Sequence, residues 1–142
     1  MNISKFTTKS QEVVQECEKV AMDYGHQEMG EEHLLASMMK VDDSLISKLI
    51  EKMGIEPELF LAQIDGLLNK RPKVTGGDMR IDRYLNETLI YAEDEAKRMG
   101  DEYVSVEHLF LSMLQYPNKE IKQIFTEYGI TRERFLQAYF II

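Results

Sequence analysis

The stretch that decides the fold is GEEHLLASMM, at Gly30–Met39, because SVEHLFLSML at Ser105–Leu114 repeats it. Both stretches contain Glu-His-Leu followed by Ser-Met, and each begins an apolar run. A glutamate beside a histidine could belong to a metal or acid–base site that occurs twice. It could equally mark a helix start that the fold needs twice. The two interpretations predict different classes of protein.

The repetition extends well beyond these two stretches. A shift of 75 positions, which we call the repeat shift, aligns residues 6–64 with residues 81–139 without a gap. Fifteen of the fifty-nine aligned positions are identical, and many of the other pairs keep their apolar character. A long alignment without gaps is typical of an internal duplication, in which each copy forms one unit of the fold.

Each copy has the apolar spacing of four α-helices. We expect first-copy helices that end at Gly25, begin near Glu31, cover about 44–53 and begin at Pro57. The second copy predicts helices over 82–99, 106–115 and 119–128 and from 132 onward. The fourth helix of the first copy draws its apolar residues from Leu59, Phe60, Ile64, Leu67 and Leu68.

The predicted fold is therefore an all-α domain over residues 1–142, with about eight helices in two pseudo-twofold-related four-helix repeats. Repeat one covers 6–69, a short exposed linker covers 70–80, and repeat two covers 81–142. Pro72 lies within the linker and disfavours a helix there. No segment alternates with a period of two residues, so we expect no β-strands.

Composition excludes several classes of protein. Hydrophobic residues make up 44% and charged residues 30%, which is typical of a soluble globular chain. No apolar run approaches the roughly 20 residues of a membrane span, and the N-terminus lacks the apolar stretch of a signal peptide. The single Cys17 cannot form an internal disulfide, which favours the cytoplasm. The net charge of −8, with only Lys70, Arg71 and Lys73 as a basic group, argues against nucleic acid as a partner.

The sequence contains neither a phosphate-binding loop nor a zinc-peptidase motif. A phosphate-binding loop needs a Gly-Lys pair, and none occurs. A zinc peptidase needs two histidines one helical turn apart, and neither His33 nor His108 has such a partner. Glu32 and Glu107 fall in a predicted first helical turn, where a carboxylate faces free amides. We therefore expect structural roles for both Glu-His pairs, no metal and no catalytic residue.

The duplicated pattern resembles a known family. The similar stretches are FTTKSQEVVQECEKVAMDYGHQEMGEEHLLASMM at 6–39, GDEYVSVEHLFLSML at 100–114 and GITRERFLQAY at 129–139. They resemble the N-terminal (Clp repeat) domain of Clp/ClpB-type AAA+ chaperones over nearly the whole chain. The linker LLNKRPKVTGG at 67–77 is most similar to the disaggregase branch of that family.

This resemblance implies a function in substrate binding. It implies the N-terminal domain of an ATP-dependent ClpB-type disaggregase, which captures unfolded or aggregated polypeptides for the AAA+ ring. The alternative is an adaptor-docking domain of a ClpC/ClpA-type unfoldase that serves a protease. The chain itself is then no enzyme, because ATP and Mg²⁺ belong to AAA+ modules that this chain lacks. The isolated domain would be a monomer and the parent protein a hexamer, with adaptor or co-chaperone proteins as possible further partners.

The resemblance also implies site residues. Thr7, Asp101 and Glu107 match positions that the disaggregase branch uses. An apolar substrate groove of the family would involve Tyr91, Tyr103 and His108, together with Glu95. The chain ends in the apolar residues 139–142, which could pack back on the domain or mark an excised or divergent chain.

Overall fold

The computed structural model describes residues 3–74 and 76–141. Within them it has eight α-helices, a short 3-10 helix at Ile3–Lys5 and two strands of two residues each, which confirms the predicted all-α fold. The helices are α1 Thr8–Asp23, α2 Glu31–Lys40, α3 Leu45–Lys52, α4 Pro57–Asn69, α5 Arg83–Arg98, α6 Val106–Gln115, α7 Lys119–Glu127 and α8 Arg132–Phe140.

The boundaries of the first two helices in each repeat follow the repeat shift that relates the two halves of the sequence. Both ends of α5 are displaced from those of α1 by this shift, and both ends of α6 are displaced from those of α2 in the same way. The first helices of the two repeats also begin alike. The Thr7 side chain accepts a hydrogen bond from the backbone N–H of Ser10, and the Asp82 side chain accepts one from that of Leu85. Both caps satisfy an amide that the helix leaves free.

The expectation of no β-strands is wrong, because the structure contains two short strands. β1, Glu28–Met29, pairs in parallel with β2, Arg80–Ile81, and a single bridge joins Phe6 to Val104. The repeat shift takes position 6 to 81 and position 29 to 104, so these are equivalent pairings with the repeats exchanged. In each pairing, the segment before the second helix of one repeat pairs with the segment before the first helix of the other repeat. Two-residue strands are too short to give a period-two pattern.

The core is built around α2 and α6. Every residue of 31–39 and of 106–113 is buried, so both helices are enclosed by the others. One continuous hydrophobic cluster contains residues of both repeats, including Phe60 and Phe110. No helix in the described ranges 3–74 and 76–141 is both long enough and apolar enough to cross a membrane.

One apolar residue of α4 lies outside this core. α4 buries Phe60, Ile64 and Leu68, which follow one another at intervals of four residues. Leu59, which the helical spacing includes among the apolar residues of this helix, is 64% exposed. It begins a second face of α4, along which Tyr128 is a neighbour.

Candidate functional site

The two Glu-His pairs are helix starts. The backbone N–H groups of Gly30 and Ser105 donate to Nδ1 of His33 and His108, at 2.9 and 2.8 Å. A neutral ring that accepts at Nδ1 carries its proton on Nε2. Nε2 of His33 therefore donates to Nδ1 of His26, and Nε2 of His108 donates to Oδ2 of Asp101, both at 2.8 Å.

His26 and Asp101 are themselves equivalent under the repeat shift. In each repeat, the histidine therefore makes the same two hydrogen bonds, which connect the helix start to the preceding loop. Burial lowers the pKa of His33 to about 4, with the Arg71 charge adding to the effect. Among residues 3–74 and 76–141, no group of three His, Cys, Asp or Glu side chains is arranged to hold a metal ion.

The β1–β2 pairing lies beside a cluster of charged side chains, which we call the first junction. Glu32 is buried, and its Oε2 atom accepts a hydrogen bond from Nη1 of Arg71 at 2.8 Å. Its Oε1 atom accepts one from the Asn118 side chain at 2.7 Å. The other guanidinium nitrogen of Arg71 lies 3.4 Å from Glu28 and from Asp82. Arg71 is thus not an exposed linker residue, because carboxylates from both repeats surround it.

Glu31 extends this first junction into the core. Its carboxylate accepts hydrogen bonds from the Thr88 hydroxyl and from the Asn118 backbone N–H, both at 2.6 Å. Both donors belong to repeat two, so Glu31 ties the repeats together. Burial raises the pKa of Glu31 to about 7, although the two hydrogen bonds oppose the effect.

The Phe6–Val104 pairing is the equivalent second junction, and it gathers five of the six predicted site residues. The backbone N–H of Thr7 donates to the carbonyl of Val104 at 2.9 Å, next to Tyr103. Asp101 accepts from the buried His108, as described above. Glu107 is buried and accepts a hydrogen bond from the Tyr139 hydroxyl at 2.7 Å. Burial and this bond raise the pKa of Tyr139 to about 12.

The second junction differs from the first in the exposure of one loop residue. Asp101 has a 45% exposed side chain, whereas its equivalent His26 is 2% exposed. Tyr103 is 51% exposed. No arginine within the described residues takes the place at Glu107 that Arg71 takes at Glu32, since Glu107 has only the Tyr139 hydroxyl as a side-chain partner. The second junction therefore presents an exposed carboxylate and an exposed aromatic ring.

The sixth predicted residue, Tyr91, lies apart from this junction. It stands on α5 and packs against Tyr116 with ring centroids 4.8 Å apart. Tyr116 follows the last residue of α6, whereas His108 is in its first turn, so the two ends are roughly 12 Å apart along the helix. Both tyrosines are partly exposed. Tyr116 also stands between Gln115 and Pro117, which line a cavity of about 380 Å³.

Two of the residues that the family groove suggested are interior. His108 has no exposed surface, and it reaches the exterior only through its bond to Asp101. Glu95 is buried and holds Arg132 through two hydrogen bonds, at 2.7 and 3.0 Å. Glu95 therefore fixes α8 against α5, and its carboxylate is already paired.

Sequence reasoning missed three residues of these sites. Arg71 appears in the sequence only as part of a small basic group, Tyr116 as a residue after an apolar helix, and Tyr139 as part of the apolar tail. Tyr139 packs back on the domain through Glu107, while Phe140 and Ile141 are exposed. Ile142 lies outside the described residues.

The fold and its two junctions define a duplicated all-helical domain whose repeats are joined by exchanged pairings. The chain belongs to the family described as Clp repeat (R) N-terminal domain, whose sequence profile matches residues 5–128. It is 38% identical to chaperone protein ClpB of Nitratidesulfovibrio vulgaris and 35% identical to that of Clostridium tetani. These alignments cover 96% and 97% of the chain but only 16% of each relative, so the chain spans about one sixth of their length.

Solved structures share the fold. The Hsp104 N-terminal domain from Candida albicans has a TM-score of 0.82 at 20% identity, covering 94% of this chain and 88% of that one. A ClpV N-domain in complex with a VipB peptide has a TM-score of 0.77 at 18% identity, covering 99% and 87%. At these identities the likeness concerns the fold alone. The chain is thus an N-domain of the Clp chaperone type.

Proposed function

We propose that this chain is the substrate-binding N-terminal domain of an ATP-dependent ClpB-type disaggregase, which captures unfolded or aggregated polypeptides for an AAA+ ring. The observation that carries the proposal is the exposed Tyr91–Tyr116 pair beside a cavity of about 380 Å³. Two packed aromatic rings form a rigid apolar surface that contacts varied side chains without requiring one shape. Unfolded chains expose such side chains, whereas folded proteins bury most of theirs.

The second junction supplies polar contacts in this proposal. An extended polypeptide has free backbone N–H groups, and the half-exposed Asp101 carboxylate can accept from them. His108 positions that carboxylate through its Nε2 hydrogen bond. Tyr103 adds an exposed ring next to the Thr7–Val104 pairing. The His108 end of α6 and Tyr116 are roughly 12 Å apart along the helix, so contact with both surfaces would require an extended segment of at least about four residues.

The relatives named above are ClpB chaperones, which supports the disaggregase branch in this proposal. A protein of related fold, ClpV, has been solved with a peptide bound, which supports binding of a polypeptide. In this proposal the protein is cytoplasmic, and ATP and Mg²⁺ act in AAA+ modules of the parent protein. The domain itself needs no cofactor to bind a polypeptide.

Binding at one domain should be weak. Contacts worth about 4–6 kcal/mol correspond to dissociation constants between about 1 mM and tens of micromolar. Several copies around a hexameric ring would then bind one aggregate with much higher avidity. Weak individual binding also lets the domain release the polypeptide to the ring.

Fluorescence anisotropy with fluorescein-labelled reduced casein tests this function. We expect saturable binding of casein by the isolated chain and at least tenfold weaker binding of labelled native ovalbumin, whose apolar residues are folded inside. No casein binding at millimolar concentrations of the chain would contradict the proposal. A single folded partner captured at one-to-one stoichiometry, without preference for unfolded chains, would favour the adaptor-docking alternative.

A further inference from the structure

A trough runs along the outer face of α4. Two adjoining cavities of about 460 and 790 Å³ lie on this face, and both are lined by Gln63, Leu67 and Lys70. We call this continuous feature the α4 trough. It extends from Leu59 to Lys70, roughly 16 Å along the helix. It involves none of the residues of the second junction or of the Tyr91–Tyr116 pair.

The end of the trough near the start of α4 is apolar. Leu59, Ala62 and Gly66 lie along this face at helical spacing, and Tyr128 lines the same cavity. Tyr128 is held by Phe60, whose ring meets it edge-on at 5.2 Å. The Tyr128 wall therefore rests on a buried ring, while the Leu59 side chain is 64% exposed. A large exposed leucine beside a fixed aromatic ring is a surface that association would bury favourably.

Gly66 has no explanation within the domain. It lies inside α4 with an ordinary helical backbone, so no turn requires it. A Cβ atom added there would have no neighbour within 4 Å, so no internal packing requires it either. Glycine inside a helix is less stable than alanine. The missing side chain instead leaves a notch beside Ala62, where an external chain can approach the helix closely.

The other end of the trough is basic. Lys70, Lys119 and Lys122 line it and outnumber the two glutamates there, Glu120 and Glu127, although the whole chain carries a net charge of −8. Among the described residues, none of these three lysines has an ion-pair partner. A further cation lies at the edge, because Arg83 stacks over the ring of Tyr84, itself a lining residue.

We propose that the α4 trough docks an acidic, amphipathic segment of a partner protein. The apolar side chains of that segment would enter the notch at Gly66 in the cavity that Leu59 and Tyr128 also line, and its carboxylates would face the three lysines. The fold creates this site by bringing α4 of one repeat beside α7 of the other. The trough is separate from the surface proposed to capture unfolded chains, and each can be tested without the other.

The probe is a fluorescein-labelled synthetic peptide of about four helical turns, with leucines at helical spacing on one side and glutamates elsewhere. We expect anisotropy to show saturable binding that weakens as salt rises, because exposed charges are screened. A peptide with the same leucines and lysines in place of the glutamates should bind at least about tenfold more weakly. Equal binding of the two peptides would overturn the proposed charge preference.

Gly66→Leu provides the decisive variant, because its side chain fills the notch without its Cβ meeting any atom of the domain. We expect at least about a tenfold loss of peptide affinity, with an unchanged or higher melting temperature and unchanged binding of reduced casein. Lys122→Glu should weaken peptide binding by a similar factor. Lys97→Glu makes the same charge change at an exposed residue of α5 and should change peptide affinity by less than about twofold. Unchanged peptide affinity in Gly66→Leu would overturn the assignment. So would amide shifts in an NMR titration confined to the surroundings of Tyr91.

Discussion

Replacing Arg71 with methionine should destabilise the domain strongly. Methionine keeps the apolar stem but removes the guanidinium that bonds Glu32 at 2.8 Å. The Glu32 side chain is 3% exposed and that of Arg71 is 16% exposed, so the change leaves a buried carboxylate with only the Asn118 amide. Loss of one partner of a buried ion pair costs about 3–5 kcal/mol. We expect the lower end, about 3 kcal/mol, because water reaches part of the guanidinium.

Urea unfolding followed by circular dichroism at 222 nm measures this loss. The control Lys70→Met changes the exposed neighbour in the same way and should shift stability by less than about 0.5 kcal/mol. The double variant Glu32→Gln, Arg71→Met removes the stranded charge and should recover at least about 1 kcal/mol. If Arg71→Met costs less than about 1 kcal/mol, Glu32 and Arg71 do not form the stabilising buried ion pair described above.

Two further predictions concern Glu31 and Tyr139. Burial raises the pKa of Glu31 to about 7, so this group lowers the free energy of unfolding as pH rises from about 4.5 to 7. Burial lowers the pKa of His33 to about 4, so this group lowers the free energy of unfolding as pH drops from 6.5 to about 4. Glu31→Gln removes the first effect, so urea titrations should show stability decreasing on acidification by up to about 1.4 kcal/mol per pH unit; a flat profile would contradict this. Tyr139→Phe removes the bond to Glu107 and should cost about 1–2 kcal/mol, measured in the same way. Tyr103→Phe, which changes an exposed phenol, should cost less than about 0.5 kcal/mol, and equal costs would refute the role of that bond.

The helices could be predicted well from the sequence, because the duplication provides two equivalent segments for the first two helices of each repeat. A weak helix start such as that of α2 is supported by its equivalent at α6, and both boundaries follow the repeat shift. The structural interpretation of His33 and His108 also follows from the sequence, since both sit at the same place in a duplicated helix start. The identity of the bond that each makes, to His26 or Asp101, requires the coordinates.

What could not be predicted depends on contacts between the repeats. Arg71 has the sequence context of an exposed linker, and only the pairing of β1 with β2 brings it between Glu32 and Asp82. The α4 trough is likewise invisible in the sequence. Apolar spacing cannot distinguish the exposed Leu59 from the buried Phe60, because both fit a helical pattern and the difference lies in which face meets the core.

The affinity of reduced casein for Tyr91→Ser and for Tyr84→Ser is the most direct test of the proposed function. The two tyrosines lie two helical turns apart on α5 and are 38% and 37% exposed, so each variant removes a similar exposed ring. Only Tyr91 belongs to the pair with Tyr116. We expect Tyr91→Ser to weaken casein binding by about fivefold or more and Tyr84→Ser by less than about twofold. Equal effects of the two variants, or no effect of Tyr91→Ser, would contradict the assignment of this surface to substrate capture.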